Sequence, residues 1–109
     1  MNKTILITGA AKRIGKEIAL TYCDLGWNII IHYNSSKKDA EELAHNINSK
    51  NPGTAKIVQA NLDVDSEVKR LVEESKNFFD SIDILVNNAS TFYPTPIDEI
   101  SDDHWMKLV

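Results

Sequence analysis

Short unbroken apolar runs alternate along this chain with longer stretches in which apolar residues return every three or four positions. Ile5, Leu6 and Ile7 are consecutive, so Lys3 to Thr8 reads as a strand covered on both faces. Ile14, Ile18, Ala19, Tyr22 and Leu25 recur at helical spacing from Arg13 to Leu25, and Gly26 is a stop signal. Cys23 lies one position off that stripe and reads as a small packing residue. Trp27 to Ile31 is a second buried strand. Ser36 to Asn48 is a second helix, with Ala40, Leu43, Ala44 and Ile47 on one side and Ser35 or Ser36 as N-cap. Asn51-Pro52-Gly53 is a turn. Ala55 to Ala60 is a third strand, and Val64 to Phe79 a third helix turning Val68, Leu71, Val72, Ser75 and Phe79 inward. Ile82 to Val86 is a fourth strand. Asn87 to Ile97, with Pro94 and Pro96, reads as a loop, and another helix starts at Asp102.

Strict alternation with short connections predicts an α/β fold: a doubly wound parallel sheet with right-handed crossovers and helices on both faces. In such sheets ligands bind beyond the carboxyl ends of the strands, at the switch point in strand order. The loops after the four strands are therefore where chemistry is to be sought.

The loop after the first strand is Thr8-Gly9-Ala10-Ala11-Lys12-Arg13-Ile14-Gly15. A strand that turns through glycine into a helix offers unpaired backbone N–H groups and the positive end of the helix dipole to an anion. Gly9 permits the tight turn and Gly15 a close approach of the helix. An ordinary strand–helix turn carries the same two glycines, and Arg13 stands where a middle glycine is usual. After the second strand comes His32-Tyr33-Asn34-Ser35-Ser36-Lys37-Lys38. A site that reads a ribose 2′-hydroxyl needs a carboxylate roughly 20 residues after the glycine turn, yet no acid occurs between Asp24 and Asp39. The hydroxyls, amide, imidazole and lysines found there can donate to a phosphate, which favours NADPH over NADH. They also suit a solvated polar loop. After the third strand, Asn61 can accept from an adenine amino group or cap the next helix, and Asp63 reads as a cap. After the fourth, Asn87 and Asn88 can tie the strand end to its neighbours. Ala89 and Ser90 are small enough to admit a flat group, and Phe92 can stack on one or anchor the loop.

Composition narrows the class. The chain has 109 residues, 42% of them hydrophobic, and a formal net charge of −4 with acids and bases mixed, so no basic footprint for nucleic acid is present. One cysteine supplies neither a disulfide framework nor a zinc set, and no metal site is expected. No apolar run approaches the roughly 20 residues that span a bilayer, and the N-terminus lacks a signal-peptide pattern. A single cytoplasmic domain without membrane contact is the expectation.

Thr-Gly-x-x-x-x-x-Gly at positions 8 to 15 and Asn-Asn-Ala-Ser at 87 to 90 resemble the short-chain dehydrogenase/reductase family, whose usual forms are T-G-x-x-x-G-x-G and N-N-A-G. Arg13 replaces the middle glycine and Ser90 the last glycine of the second motif. T-G-A-A-K-R-I-G, H-Y-x-x-S and N-N-A-S-x-F-Y-P-T-P together resemble the pteridine reductase branch. The resemblance runs through essentially the whole chain. It implies that residues 1–109 form the N-terminal part of a single NADP-binding Rossmann-type domain.

It also implies roles. Arg13 would contact the cofactor phosphates and reach the substrate, and Ile14 would offer its backbone N–H to the pyrophosphate. His32, Tyr33, Asn34, Ser35 and Ser36 would hold the 2′-phosphate, with Ser36 in direct contact. Asn61 and Leu62 would flank adenine, although aspartate is commoner at the first position. Asn88, Ala89 and Ser90 would line ribose and nicotinamide. Ser90 and Phe92 would meet a pterin, Phe92 stacking on one face and nicotinamide on the other. The implied reaction is hydride transfer from NADPH to a pterin of the dihydrobiopterin or dihydrofolate kind. The implied assembly is a homo-oligomer, a tetramer.

The family's catalytic Tyr-x-x-x-Lys pair has no match at a fitting place. Tyr22 and Tyr93 precede Gly26 and Ile97, and Tyr33 with Lys37 sits on the adenosine side. No catalytic residue is therefore assigned within this chain. The expectation is an N-terminal half whose proton donor lies past Val109, inactive as a fragment. Another short-chain reductase, acting on 3-oxoacyl thioesters or sugars, is the enzyme alternative. A non-catalytic nucleotide-binding protein is the alternative if the chain truly ends at Val109.

Overall fold

The computed structural model describes residues 3–11, 13–79, 81–87 and 94–96, the last three as backbone. Asn88, Ala89, Ser90, Phe92 and the final helix expected from Asp102 lie outside the described residues. The elements are β1 (Thr4–Ile7), α1 (Arg13–Asp24), β2 (Asn28–Tyr33), α2 (Lys37–Lys50), β3 (Ala55–Gln59), α3 (Asp65–Phe78), β4 (Ile84–Val86) and β5 (Pro94–Pro96).

The strands form one sheet in the order β3-β2-β1-β4-β5. The first four are parallel, as the alternation of strands and helices predicts. Leu6 pairs with Ile30 on one side and Leu85 on the other. The chain winds outward from β1 to β3, then α3 carries it back across the sheet so that β4 lies beside β1. The strand order therefore reverses between β1 and β4, and the loops at their carboxyl ends flank the crevice such a reversal opens.

The consecutive isoleucines work as two-faced strands. Ile5, Ile7, Ile29, Ile31 and Tyr33 pack with Ala19, Cys23, Ala40, Leu43 and Ile47 of α1 and α2. Leu6, Ile30 and Val58 point the other way and pack with Val68 and Leu71 of α3. Ile5, Leu6, Ile7, Ile29, Ile30 and Ile31 are all fully buried. Each such side chain stabilises the fold by about 1.5–3 kcal/mol relative to exposure.

The inner face of α1 is displaced from the expected stripe. Its buried residues are Gly15, Ala19 and Cys23. Ile14 and Leu25 are 60% and 64% exposed, while Ile18 and Tyr22 pack at the margin of the core. Small residues let the helix lie close on the sheet, so the line of small side chains faces inward and the larger ones flank it. Cys23 is a core residue, 1% exposed.

The C-terminus of α1 closes through Gly26, at φ 82. Trp27 N–H donates to the Tyr22 carbonyl at 3.1 Å and Gly26 N–H to that of Cys23 at 3.0 Å, the paired bonds of a glycine-terminated helix end. The Tyr22 and Trp27 rings meet edge-to-face with centroids 4.9 Å apart, covering the turn.

Three further expectations are corrected. β2 continues through His32 and Tyr33, placing both in the strand, because they keep pairing with Val58 and Gln59. Asp63 does not cap α3: the N-cap is Val64, which makes no side-chain cap bond, and Asn61 Oδ1 instead accepts from Asp63 N–H at 3.0 Å. The stretch read as a loop from Asn87 to Ile97 contains β5, antiparallel to β4 with Leu85 opposite Thr95. Two prolines obscured it, and an edge strand is the position in a sheet that tolerates proline.

Candidate functional site

The chain leaves β1 through Thr8 and Gly9, whose φ of 61 is a left-handed conformation open to glycine at no steric cost. The turn then lies along the end of β2. Gly9 N–H donates to Nδ1 of His32 at 3.0 Å, and Ala10 N–H donates to the His32 carbonyl at 3.1 Å. Arg13 begins α1, exposed and at φ 55. It is the one described non-glycine residue with positive φ, and a conformation of this kind costs an L-residue about 1–2 kcal/mol. The N–H groups of Arg13, Ile14 and Gly15 belong to the first turn of α1, where no intrahelical acceptor exists.

Beside this turn, Gly9, Ala11, Tyr33, Asn34, Ser35 and Ser36 line a shallow cleft of about 130 Å³. The structure thus brings together the end of β1 and the β2–α2 loop, two of the sequence segments expected to act jointly. Two hydroxyls, an amide, a phenol and backbone groups make up this lining, and no carboxylate is among its described residues. Ser36 is the N-cap residue of α2 by position, but its side chain makes no cap bond. Gln59 Nε2 donates to the Asn34 carbonyl at 3.1 Å and to Asn34 Oδ1 at 3.3 Å, fixing the rim of the cleft to β3.

His32 takes a different place from the one expected. It is 2% exposed, and its ring is engaged on both sides, by Gly9 N–H at Nδ1 and by the Ala60 carbonyl, 2.8 Å from Nε2. Burial pushes its pKa below the ordinary histidine value, against the pull of the Ala60 carbonyl. With both nitrogens used inside the protein, the ring has no donor left for a phosphate. It supports the turn from behind. The signal was available in the sequence: strand alternation places position 32 on the face of Ile30, toward α3.

The loop after β3 is held by its own helix. Glu67 Oε1 accepts from Asn61 N–H at 2.9 Å. Arg70 donates to the Gln59 carbonyl at 2.7 Å while pairing with Glu74 at 2.7 Å. Asn61 and Leu62 are both half-buried at this edge. At the end of β4, Asn87 is 1% exposed and Thr8 Oγ1 lies 3.2 Å from Asn87 Oδ1. This asparagine joins the ends of β1 and β4 from within the sheet. Among the described residues no group of histidines, cysteines and acids could hold a metal, and no described helix is long and apolar enough to cross a membrane.

Comparison with known proteins gives this arrangement a lineage. The family model for short chain dehydrogenase matches residues 3–109. The 3-oxoacyl-[acyl-carrier-protein] reductase FabG of Staphylococcus epidermidis is 36% identical over 109 residues, all of this chain and 44% of its own length. A short-chain type dehydrogenase/reductase of Picea abies is 34% identical, over 97% of this chain and 42% of its own. Pteridine reductase 1 of Leishmania tarentolae is 38% identical, over 84% of this chain and 38% of its own. The chain spans less than half the length of these curated relatives. With the family model covering nearly every residue of a parallel β3-β2-β1-β4 core, the chain belongs to the short chain dehydrogenase family.

Proposed function

We propose that the intact protein is an NADPH-dependent oxidoreductase that transfers hydride to a pterin, and that residues 1–109 carry its dinucleotide half. The observation that carries the cofactor reading is the cleft at the ends of β1 and β2. A ribose 2′-hydroxyl is ordinarily held by a carboxylate near this point. Here the described lining is neutral and hydroxyl-rich, which accommodates a 2′-phosphate that a carboxylate would repel. In this reading Gly9, Ile14 and Gly15 form the pyrophosphate turn, Tyr33, Asn34, Ser35 and Ser36 hold the 2′-phosphate, and Asn61 and Leu62 flank adenine. Asn88, Ala89 and Ser90 take ribose and nicotinamide.

Arg13 supports the pterin. An arginine kept at φ 55, where glycine carries no strain, is best explained by its side chain. A guanidinium there can meet a phosphate and the hydrogen-bonding edge of a flat heterocycle together. Ser90 and Phe92 complete the proposed substrate site. The cofactor would supply the hydride; the proton donor is proposed to lie past Val109. Cytoplasmic location and a homo-oligomeric assembly belong to the same proposal.

A second reading, reduction of 3-oxoacyl thioesters, is favoured by the Staphylococcus epidermidis relative, which aligns with the whole chain. The two separate in one experiment: NADPH oxidation by the full-length protein with dihydrobiopterin, dihydrofolate and an acetoacetyl thioester. Turnover of the pterins is expected. Turnover of the thioester alone would replace the first reading with the second.

A further inference from the structure

We infer that His32 is a positioning residue for the dinucleotide turn, acting as a neutral imidazole with its proton on Nε2; the inference deepens the cofactor reading above and rests on it. The hydrogen bonds determine the tautomer. A carbonyl oxygen only accepts, so the 2.8 Å contact to Ala60 requires hydrogen on Nε2. A backbone N–H only donates, so the 3.0 Å bond from Gly9 requires a bare Nδ1. One neutral tautomer satisfies both, whereas an imidazolium would set an N–H at Nδ1 against the N–H of Gly9.

The ring therefore ties together three chain segments. It stands on β2, holds Gly9 of the glycine turn after β1, and holds Ala60, the last residue before the Asn61–Leu62 loop after β3. The His32 carbonyl takes the next amide of the turn, that of Ala10. Two successive N–H groups of the turn are thus spent on His32. The first turn of α1 offers a pyrophosphate further N–H donors, which the helix itself cannot use. The ring orients the phosphate turn and the adenine loop toward each other while touching neither ligand group. Its part in the fold is to set the cofactor's register.

The test uses the full-length protein with ¹⁵N-labelled histidine, first without dinucleotide. At neutral pH the His32 resonances should show a bare Nδ1 and a protonated Nε2, with the Gly9 amide coupled to Nδ1. The opposite tautomer, or a doubly protonated ring, would overturn the clamp whether or not any dinucleotide binds. NADPH titration then separates positioning from bulk. His32→Leu removes both polar contacts and should weaken NADPH roughly tenfold or more. His32→Gln, which carries an acceptor and a donor on one planar group, should recover most of that loss. A leucine variant that unfolds more easily yet binds NADPH as tightly as the parent would show the ring to be packing only and overturn the inference. Should His32→Leu not fold, failure of His32→Gln to bind more tightly than His32→Ala would overturn it equally. A parent protein with the expected tautomer that binds no NADPH contradicts the cofactor reading and leaves the clamp standing.

Discussion

The Thr8 hydroxyl lies 3.2 Å from Oδ1 of Asn87, both residues buried, at the point where β1 and β4 stop pairing. Thr8 N–H also donates to the Val86 carbonyl at 3.0 Å. The crevice between these strands is thus closed at its floor by a side-chain contact between residues 79 apart in sequence. Thr8→Val keeps the shape and removes the hydroxyl. Loss of one buried hydrogen bond costs about 0.5–1.5 kcal/mol, so the urea midpoint should fall accordingly. An unchanged midpoint would show that the contact contributes nothing.

Arg13 separates stability from activity. Arg13→Gly relieves a left-handed arginine, worth about 1–2 kcal/mol, against an increase in unfolded-chain entropy that offsets part of it. Unfolding stability should stay level or rise slightly while the pterin turnover proposed for the intact protein drops. A variant that loses stability would contradict the strain at φ 55. One that keeps full turnover would remove Arg13 from the substrate site.

Gly26 is a purely conformational case. A Cβ placed there meets nothing within 4 Å, yet φ is 82. Gly26→Ala should therefore destabilise by about 1 kcal/mol through the backbone alone. Thermal unfolding of the two proteins side by side measures it, and equal melting temperatures would contradict the helix-end geometry described for α1.

His32 makes stability depend on pH. Its folded pKa lies below the ordinary histidine value, about 6.5 in the unfolded chain. The neutral ring thus contributes fully above that value, and the contribution is lost as pH falls through the lowered folded pKa. On the neighbouring elements, β1 and β4 carry no ionisable side chain; β3 carries Lys56, and α3 carries Asp65, Glu67, Lys69, Arg70, Glu73, Glu74 and Lys76, with Arg70 paired to Glu67 and Glu74. The downward shift arises from burial, partly offset by the Ala60 carbonyl, and not from these charges. From roughly pH 8 to pH 5 the parent should lose more stability than His32→Gln. Parallel curves would show that another group governs the acid limb.

Much of this was legible in the chain and the rest has physical reasons. Short unbroken Ile-Leu-Ile and Ile-Ile-Ile runs between helical stretches read as two-faced strands, so the parallel core and its order of elements follow from the alternation. The inner stripe of α1 departs from its hydrophobic pattern because size, not hydrophobicity, decides which side of this helix lies closest to the sheet: Gly15 and Ala19 go in and Ile14 stays out. Asp63 has the chemistry of a cap, but Glu67 reaching back to Asn61 shapes the turn instead. His32 looked like a ligand because an imidazole beside hydroxyls suits a phosphate. Only the fold reveals that the Gly9 amide and the Ala60 carbonyl already occupy it. The cleft itself was legible, since Gly9 and Asn34 to Ser36 all line it.

The cofactor reading is open to an isosteric change. Asn34→Asp keeps the oxygen that accepts from Gln59 and adds a negative charge beside the cleft. NADPH should bind roughly tenfold or more weakly and NADH better. An unaltered ratio of the two affinities would place the 2′-phosphate elsewhere.

The most direct measurement is a titration of the intact parent protein with NADPH and NADH, followed by nicotinamide fluorescence. A neutral, hydroxyl-lined cleft at the ends of β1 and β2 calls for NADPH to bind at least roughly tenfold more tightly. Equal or tighter binding of NADH, or binding of neither, would contradict it.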